Sequence, residues 1–511
     1  MKLKYLEVLS KEEIELIHSA TLELLSTVGI KIDDEEVREL FKENGAEIDD
    51  NTSFVKIPED LIKQRLKTVP NSFKLYGRDG SFNFEVNTTT TQFSTIGTPV
   101  KIYDSKNEKD LKKTTIEDNI KQIRVVDKLN NIHCSHIDIW PHDIKFTSVH
   151  VYCLYQWAIN TKKPYGLGCL GKVASQDMMD LTSLLVGGEE ELIERPRLVG
   201  FMNPTSPLHL PKIMTNGFKV FNKYKQPTII ASEALAGTSA PVTLAGLITQ
   251  TNAEILSGVV LSQLNNPGAP VFYGTVSNIT DMKSGNNALG SIETGLITAG
   301  IAQLARYYKI PSRGPGCVTD SKCFDLQNGF ERLQTLMLAA QAGINYITCA
   351  GTYESTLVEA LELLIVDDEL TGMVLRALEG ISVDEDTIGL DVIKKVATSD
   401  KKGISFLGEK HTREYMRKEL YIPKMVDRNR RSTWIKRGSK DILVLAKEKV
   451  DEILQNFNFT EYKISPEIDA KFKEYIRKVD ERTYDYYKEI EGLSADRITI
   501  NSIEIRGDDE K

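Results

Sequence analysis

The chain has 511 residues, 41% of them hydrophobic and 27% charged, with a formal net charge of -9. That is room for a large barrel with additions and an ordinary soluble balance, and the acidic surplus gives nucleic-acid binding no electrostatic support. The short basic stretch Arg428, Arg430, Arg431, Lys436 and Arg437 is interleaved with apolar residues and reads first as a solvated or interdomain face and second as a site for an acidic partner. Met1 leads into a charged helical pattern with no signal-type apolar core, and no run reads as a membrane span. The six cysteines include no C-x-x-C pair, so the expectation is a cytoplasmic protein with free thiols.

From the N-terminus, residues 9 to 67 read as two helices around a short hairpin, a layer docked on the remainder of the chain. Ser10 and Glu13 form a capping box. Ile14, Ile17, Leu22, Leu24 and Leu25 come next at near-helical spacing. Asn44-Gly45 marks a turn. Eight short apolar runs then alternate with helical patterns: 92–98, 131–139, 164–170, 197–203, 227–235, 269–276, 310–318 and 344–350. Strand–helix alternation implies parallel strands with right-handed crossovers. Eight units in this length predict a closed (β/α)₈ TIM barrel, with a doubly wound open sheet as the alternative. The expected division is an N-terminal helix and hairpin layer (1–85), a barrel catalytic domain (86–380) and a C-terminal helical extension (381–511). In the last part helices are expected over 383–396, 441–454 and 466–487, with a frayed polar tail after Ile505.

A barrel of this kind places its chemistry at the carboxyl ends of the strands. The residues there include the aromatics Phe93, Trp140, Tyr273 and Tyr353, the acids Asp138 and Glu233, His136, Asn203, and one arginine, Arg313. Aromatic faces attract a quaternary ammonium, which has no N–H to donate, and a guanidinium fork fits a carboxylate. The bland readings are core aromatics and a strand-end salt bridge for Arg313. Gly97, Gly237, Gly274, Gly314, Gly316 and Gly351 leave the mouth open for a large flat cofactor, although any one glycine explains itself by a turn. Gly314 and Gly316 lack the Lys-Ser/Thr of a phosphate loop. His133, Cys134, His136 and His142 invite a zinc reading, but no second cysteine or carboxylate pattern completes a tetrahedron, so no metal is assigned to this chain. There is no Gly-x-Ser-x-Gly elbow and no dinucleotide fingerprint.

Spaced segments along the chain resemble the trimethylamine methyltransferase family. They are Phe41 to Glu47, Tyr76 to Gly80, Asn203 to Leu208, Thr238 to Gly246, Asn252 to Gly258, Thr319 to Lys322 with Asp325 and Gln327, and Asp427-Arg428 with Trp434 and Gly438-Ser439. The resemblance implies methyl transfer to the Co(I) corrinoid of a partner protein. The family's archaeal trimethylamine enzymes carry pyrrolysine before the Thr-Asp-Ser-Lys segment, where this chain has Val318. That departure resembles the branch acting on quaternary amines such as glycine betaine, with Val318 a pocket wall. Two other readings stay open: a pyrrolysine-independent tertiary amine methyltransferase, and a noncatalytic betaine-binding barrel.

Overall fold

The computed structural model describes residues 5–97, 99–105, 111–400, 403–493, 497–500 and 503–506. Eight parallel strands form one sheet: β1 (Gln92–Phe93), β2 (Ser135–His136), β3 (Tyr165–Gly168), β4 (Leu198–Met202), β5 (Thr228–Ser232), β6 (Val271–Thr275), β7 (Ser312–Pro315) and β8 (Tyr346–Thr348). Each lies inside one of the eight apolar runs. Neighbours in the sheet keep their sequence order, and β8 returns to pair with β1. The last gap, between β1 and β2, is closed by a parallel bridge from Ser94 to Cys134, with the Thr95 N–H donating to the Cys134 carbonyl at 3.3 Å. The sheet is therefore a barrel and not an open doubly wound sheet, which would leave two unpaired edges. A helix comes after each strand: α1 (Ile116–Lys128), α2 (Val149–Asn160), α3 (Gly171–Val186), α4 (Lys212–Lys223), α5 (Leu244–Asn265), α6 (Ile292–Tyr308), α7 (Leu326–Ala342) and α8 (Leu361–Glu379).

Alternate residues of a strand face the same side, and this sorts the barrel interior from its wall. Cys134, Val199, Ile229, Ala231, Phe272 and Tyr346 meet inside the barrel. A hairpin of Ser72–Tyr76 and Asn83–Asn87 adds Leu75, Phe84 and Val86 to the same cluster. The intervening strand residues, such as Leu198, Ile230 and Tyr273, pack outward against the helices.

The N-terminal layer holds three helices, Lys11–Thr27, Glu35–Glu43 and Glu59–Leu66, where two were expected. Ser10 caps the first, with Glu13 donating its N–H to Ser10 Oγ at 3.2 Å and accepting from Ser10 N at 2.7 Å. Strand Ile30–Ile32 pairs in parallel with His209–Leu210 in the loop after β4, fixing the layer to the barrel. Helix α5 is long and apolar enough to cross a membrane by length and composition, which the sequence reading did not expect. It is mostly buried between the N-terminal helices and β5 and β6, and a helix buried nearly all round is apolar nearly all round.

Beyond α8, four short helices between Glu385 and Lys436 bury no residue. The helix expected over 383–396 is broken at Gly389, which adopts φ +61°. The helix Ile442–Gln455 is capped by Asp441. The helix expected over 466–487 is two, Pro466–Asp480 and Tyr484–Glu491. Residues 507–511 of the expected tail lie outside the described residues.

Lys163, buried just before β3, donates from Nζ to the carbonyls of Val126, Leu129 and Ile132 at 2.6–2.7 Å. It ties the end of α1 to the approach of β2. Lys163→Met leaves these carbonyls without their donor, and a loss of about 3 kcal/mol is expected from denaturant unfolding. An unchanged midpoint would show that the lysine is not a strut.

Candidate active site

A cavity of about 780 Å³, including its open mouth, lies at the carboxyl ends of the barrel strands. Its walls continue the inward-facing sets of the barrel. His136 and Asp138 come after Cys134, Phe201 and Asn203 after Val199, Glu233 after Ala231, and Val276 beyond Phe272, in steps of two along each strand. Arg313 from β7 and Cys349 after β8 complete the charged and polar part.

Arg313 is fully buried. Its Nη1 donates to the Thr275 carbonyl at 2.9 Å, Nε has no partner, and Cζ lies 5.1 Å from the centre of the Phe201 ring. A guanidinium has five N–H donors, and among the described residues no carboxylate comes within ion-pair distance of this one. Burial pulls its pKa down, opposed by Cys349 and Glu233. Glu233 is open to the cavity yet hemmed in by protein; loss of bulk water raises its pKa, and Arg313 works against that rise. Asn203 Nδ2 donates to Glu233 Oε2 at 3.4 Å.

Asp138 accepts from the Gly97 N–H at 3.2 Å and from Gln122 Nε2 at 3.1 Å, and the same Gln122 nitrogen donates to Glu359 Oε1 at 3.2 Å. Burial lifts Asp138 from 3.8 to about 7, so it exchanges its proton near neutrality. Burial, reinforced by Arg313, holds the His136 pKa well below its usual value, so the ring is neutral. Its Nε2 lies 3.0 Å from the Tyr346 hydroxyl. Gly166 makes room for this ring: a Cβ there would sit 1.6 Å from His136 Nδ1.

The structure thus brings His136, Asp138, Asn203, Glu233, Arg313 and Gly97 together around one space. The other expected residues stand elsewhere. Phe93 and Tyr273 are one residue out of phase with the inward sets and pack in the outer wall, Tyr273 donating to Asn252 Oδ1 at 2.6 Å. Trp140 lines a separate, smaller cavity with Phe146, Tyr484 and Tyr487. Tyr353 packs on Phe324 with ring centres 5.4 Å apart. A cage of these four aromatics is therefore not assembled; Phe201 is the aromatic that faces the cavity, and the Arg313 guanidinium lies over its ring. Val318 packs behind the wall, against Leu289 and Cys349. Gly274 fits against Ile229 and Ala231 inside the barrel below the cavity, while Gly314 and Gly316 admit Thr298 and Leu336 from the helices outside. Gly351, at φ +91°, turns the chain against Glu359 and Leu364.

Sequence reasoning missed Phe201, Asn278, Leu289, Cys349 and Thr356. Phe201 was legible as the inward neighbour two places before Asn203, and Cys349 stands at the end of the eighth run; Asn278, Leu289 and Thr356 lie in the connections beyond the strands, where no period of the barrel places them. It also missed Glu254 on α5, which accepts from Ser206 Oγ, the Leu208 N–H and Ser232 Oγ and so joins the loop after β4 to β5. The suspected metal ligands do not assemble either. Cys134 Sγ is 3.6 Å from His136 Nε2, and among the described residues no three His, Cys, Asp or Glu side chains gather as a metal site.

The family model for trimethylamine methyltransferase (MTTB) matches residues 1–483. The chain belongs to this family. It is 33% identical to the glycine betaine methyltransferase of Desulfitobacterium hafniense (strain Y51) over 92% of its own length and 96% of that protein. It is 35% identical to the trimethylamine methyltransferase of Methanosarcina thermophila over 88% of its length and 93% of that protein. A trimethylamine methyltransferase of Desulfitobacterium hafniense (strain DSM 10664 / DCB-2) is 34% identical over 94% of each chain. The chain is a methyltransferase. Near-equal identities to relatives named for different amines leave the choice of methyl donor to the cavity.

Two outcomes are expected of this family member. Gly166→Ala forces the imidazole of His136 off Tyr346 and should lower methyl transfer by about a hundredfold in a steady-state assay, with the fold kept by circular dichroism; unchanged turnover would remove His136 from the site. An acid whose folded pKa is raised stabilises the fold below its unfolded value and loses that contribution as pH climbs through the folded value. Asp138 should therefore make stability fall between about pH 4 and 7, and Asp138→Asn should flatten that slope in unfolding titrations.

Proposed function

We propose that this methyltransferase takes a methyl group from a carboxylate-bearing quaternary ammonium compound of the glycine betaine kind and gives it to the Co(I) of a corrinoid held by a separate protein. The observation that carries the reading is Arg313: a buried guanidinium in the cavity wall with, among the described residues, one hydrogen bond and no acid paired to it. A buried cation so poorly bonded is costly unless a ligand completes it. A carboxylate meets its fork with two oxygens. Glu233 and Asp138 line the same cavity and supply the opposite charge for an ammonium head. A zwitterion with its charges a few atoms apart suits that arrangement, whereas trimethylamine offers nothing to Arg313.

The chemistry agrees. When the N–CH₃ bond of a quaternary ammonium breaks, its electron pair stays on nitrogen and the product is a neutral tertiary amine. The methyl carbon is taken by the electron pair of the reduced cobalt, and no proton is required in that step. Without prior protonation, a tertiary amine would expel an amide-like anion. The chain's residues then have three tasks: to bind the carboxylate, to neutralise the head group, and to keep water out while one methyl faces the mouth. The corrinoid is a co-substrate and supplies the nucleophile. Val318 packs behind Leu289 and Cys349, and on the resemblance of the Thr319 to Lys322 segment it takes the place of the pyrrolysine of the archaeal trimethylamine enzymes. A quaternary donor needs no such residue.

The test is a donor panel of glycine betaine, carnitine, choline and trimethylamine, with a Co(I) corrinoid protein as acceptor and methyl–cobalt absorbance as readout. Methylation from trimethylamine alone would refute the quaternary reading, and tight betaine binding without any methyl–cobalt product would mean a binding protein. Arg313→Ala should lower kcat/KM for the betaine by about 2–4 kcal/mol, roughly 30- to 1000-fold, and for choline far less. Equal losses would make Arg313 structural. Because Asp138 must be ionised to attract the cation, betaine affinity should rise with pH up to about 7 and then level off.

A further inference from the structure

The mouth of the barrel is unevenly clothed. On one side the loops after β2, β3 and β4 are covered by other parts of the chain. Tyr487 donates to the Thr147 carbonyl at 2.7 Å, Glu491 accepts the N–H groups of Lys172 and Val173 at 2.9 and 2.8 Å, and the N-terminal sheet pairs with His209–Leu210. These three loops contribute none of the exposed large apolar side chains.

The other side is bare and apolar. Val242 after β5, Met282 and Ile292 after β6, Leu326 and Phe330 after β7, and Leu357 after β8 are all exposed, Leu326 by 88% and Met282 by 72%. They come from four successive connections. A Cβ on Gly237 would touch both Met282 and Val242, Gln334 of α7 donates to the Gly290 carbonyl beside α6, and Ser355 donates to the Asn287 carbonyl. The six residues therefore belong to one connected rim. The same connections line the cavity through Asn287, Leu289 and Thr356. Glu354, Ser355 and Thr356 each hold a left-handed φ of 50–69°, a conformation that costs energy and clusters at ligand clamps.

We infer that this apolar half-rim is the docking surface for the protein that carries the corrinoid. The inference rests on the proposed function. The methyl carbon must come within bonding distance of the cobalt, so the carrier has to lie against the mouth, and the β5–β8 side is the side that the described residues leave open. Clustered large apolar side chains around a functional opening mark a protein-contact surface, where a few buried anchors dominate.

The experiment compares the parental protein with Phe330→Glu/Met282→Glu, and with Ile388→Glu as a control on an exposed apolar residue far along the chain. Three quantities are read: methyl transfer to a Co(I) corrinoid protein from the same genome, methyl transfer to free cob(I)alamin, and glycine betaine binding by calorimetry. The double variant should raise KM for the carrier by more than about tenfold and leave the other two unchanged, while Ile388→Glu changes none. A carrier KM within about twofold of the parental value overturns the inference. So does a parallel loss with free cob(I)alamin, which would place the rim residues in the cavity's support. So does a homo-oligomer that dissociates in the double variant with carrier kinetics intact, which would make the rim a self-association face. If the parental protein methylates neither acceptor, the proposed function fails separately, and sedimentation of the carrier with parental and variant protein still decides the docking surface.

Discussion

Side chains along a parallel strand alternate between two faces, and the chemistry of this molecule is built on that alternation. In a closed eight-stranded barrel every second residue faces the axis. At the bottom those positions hold Cys134, Val199, Ile229, Phe272 and Tyr346, with Leu75 and Phe84 of the hairpin helping to fill the space. One or two steps further along the same strands they become His136, Asp138, Phe201, Glu233 and Arg313, and the packed core turns into a cavity. The apolar floor excludes water from below, which strengthens each charge above it. It also explains the shifted acids: Asp138 and Glu233 are raised chiefly by lost hydration.

Around that cavity, long-range ties hold the strand ends in place. Arg332 on α7, paired with Asp367 on α8 at 3.2 Å, also donates to the carbonyls of Cys317 and Thr352 beyond β7 and β8. Glu254 on α5 does the same between the β4 loop and β5. These buried ions lie outside the cavity and are bonded by the protein itself. Arg313 differs: it lines the cavity, and among the described residues the Thr275 carbonyl is the one hydrogen-bond acceptor that its guanidinium finds. The contrast between a completed and an uncompleted buried guanidinium is what the proposed role of Arg313 rests on.

The segments by which the chain resembles its family acquire physical roles in this light. Asn203 to Leu208 and Asn252 to Gly258 meet at Glu254, which accepts from Ser206 and Leu208. Thr319 and Asp320 are held by Glu331, with Thr319 Oγ1 donating to Glu331 Oε2 at 2.7 Å, and this fixes the turn after Val318. Part of the recognition signal in the sequence is therefore architecture around the rim, and the chain's relatives bear names that specify different amines.

The barrel was legible in the amino-acid sequence alone. Each of the eight runs contains its strand, because a short apolar run between helices is readily buried as part of a parallel sheet. Asp138, Glu233 and Arg313 could likewise be placed at strand ends, since strand order and polarity fix which end is which. The phase of each strand could not be read in the same way. Phe93 and Tyr273 are strand-end aromatics by position, yet one residue of register turns them into the outer wall. Trp140 and Tyr353 lie in the connections beyond β2 and β8, Tyr353 in a short strand paired with Val358, and they pack on Phe146 and Phe324, which no period of the barrel relates to them. The pairing of Gly166 with the His136 ring, the uncompleted bonding of Arg313 and the one-sided cover of the mouth are decided only in three dimensions, because each depends on distances between residues that the chain's local periodicity does not relate.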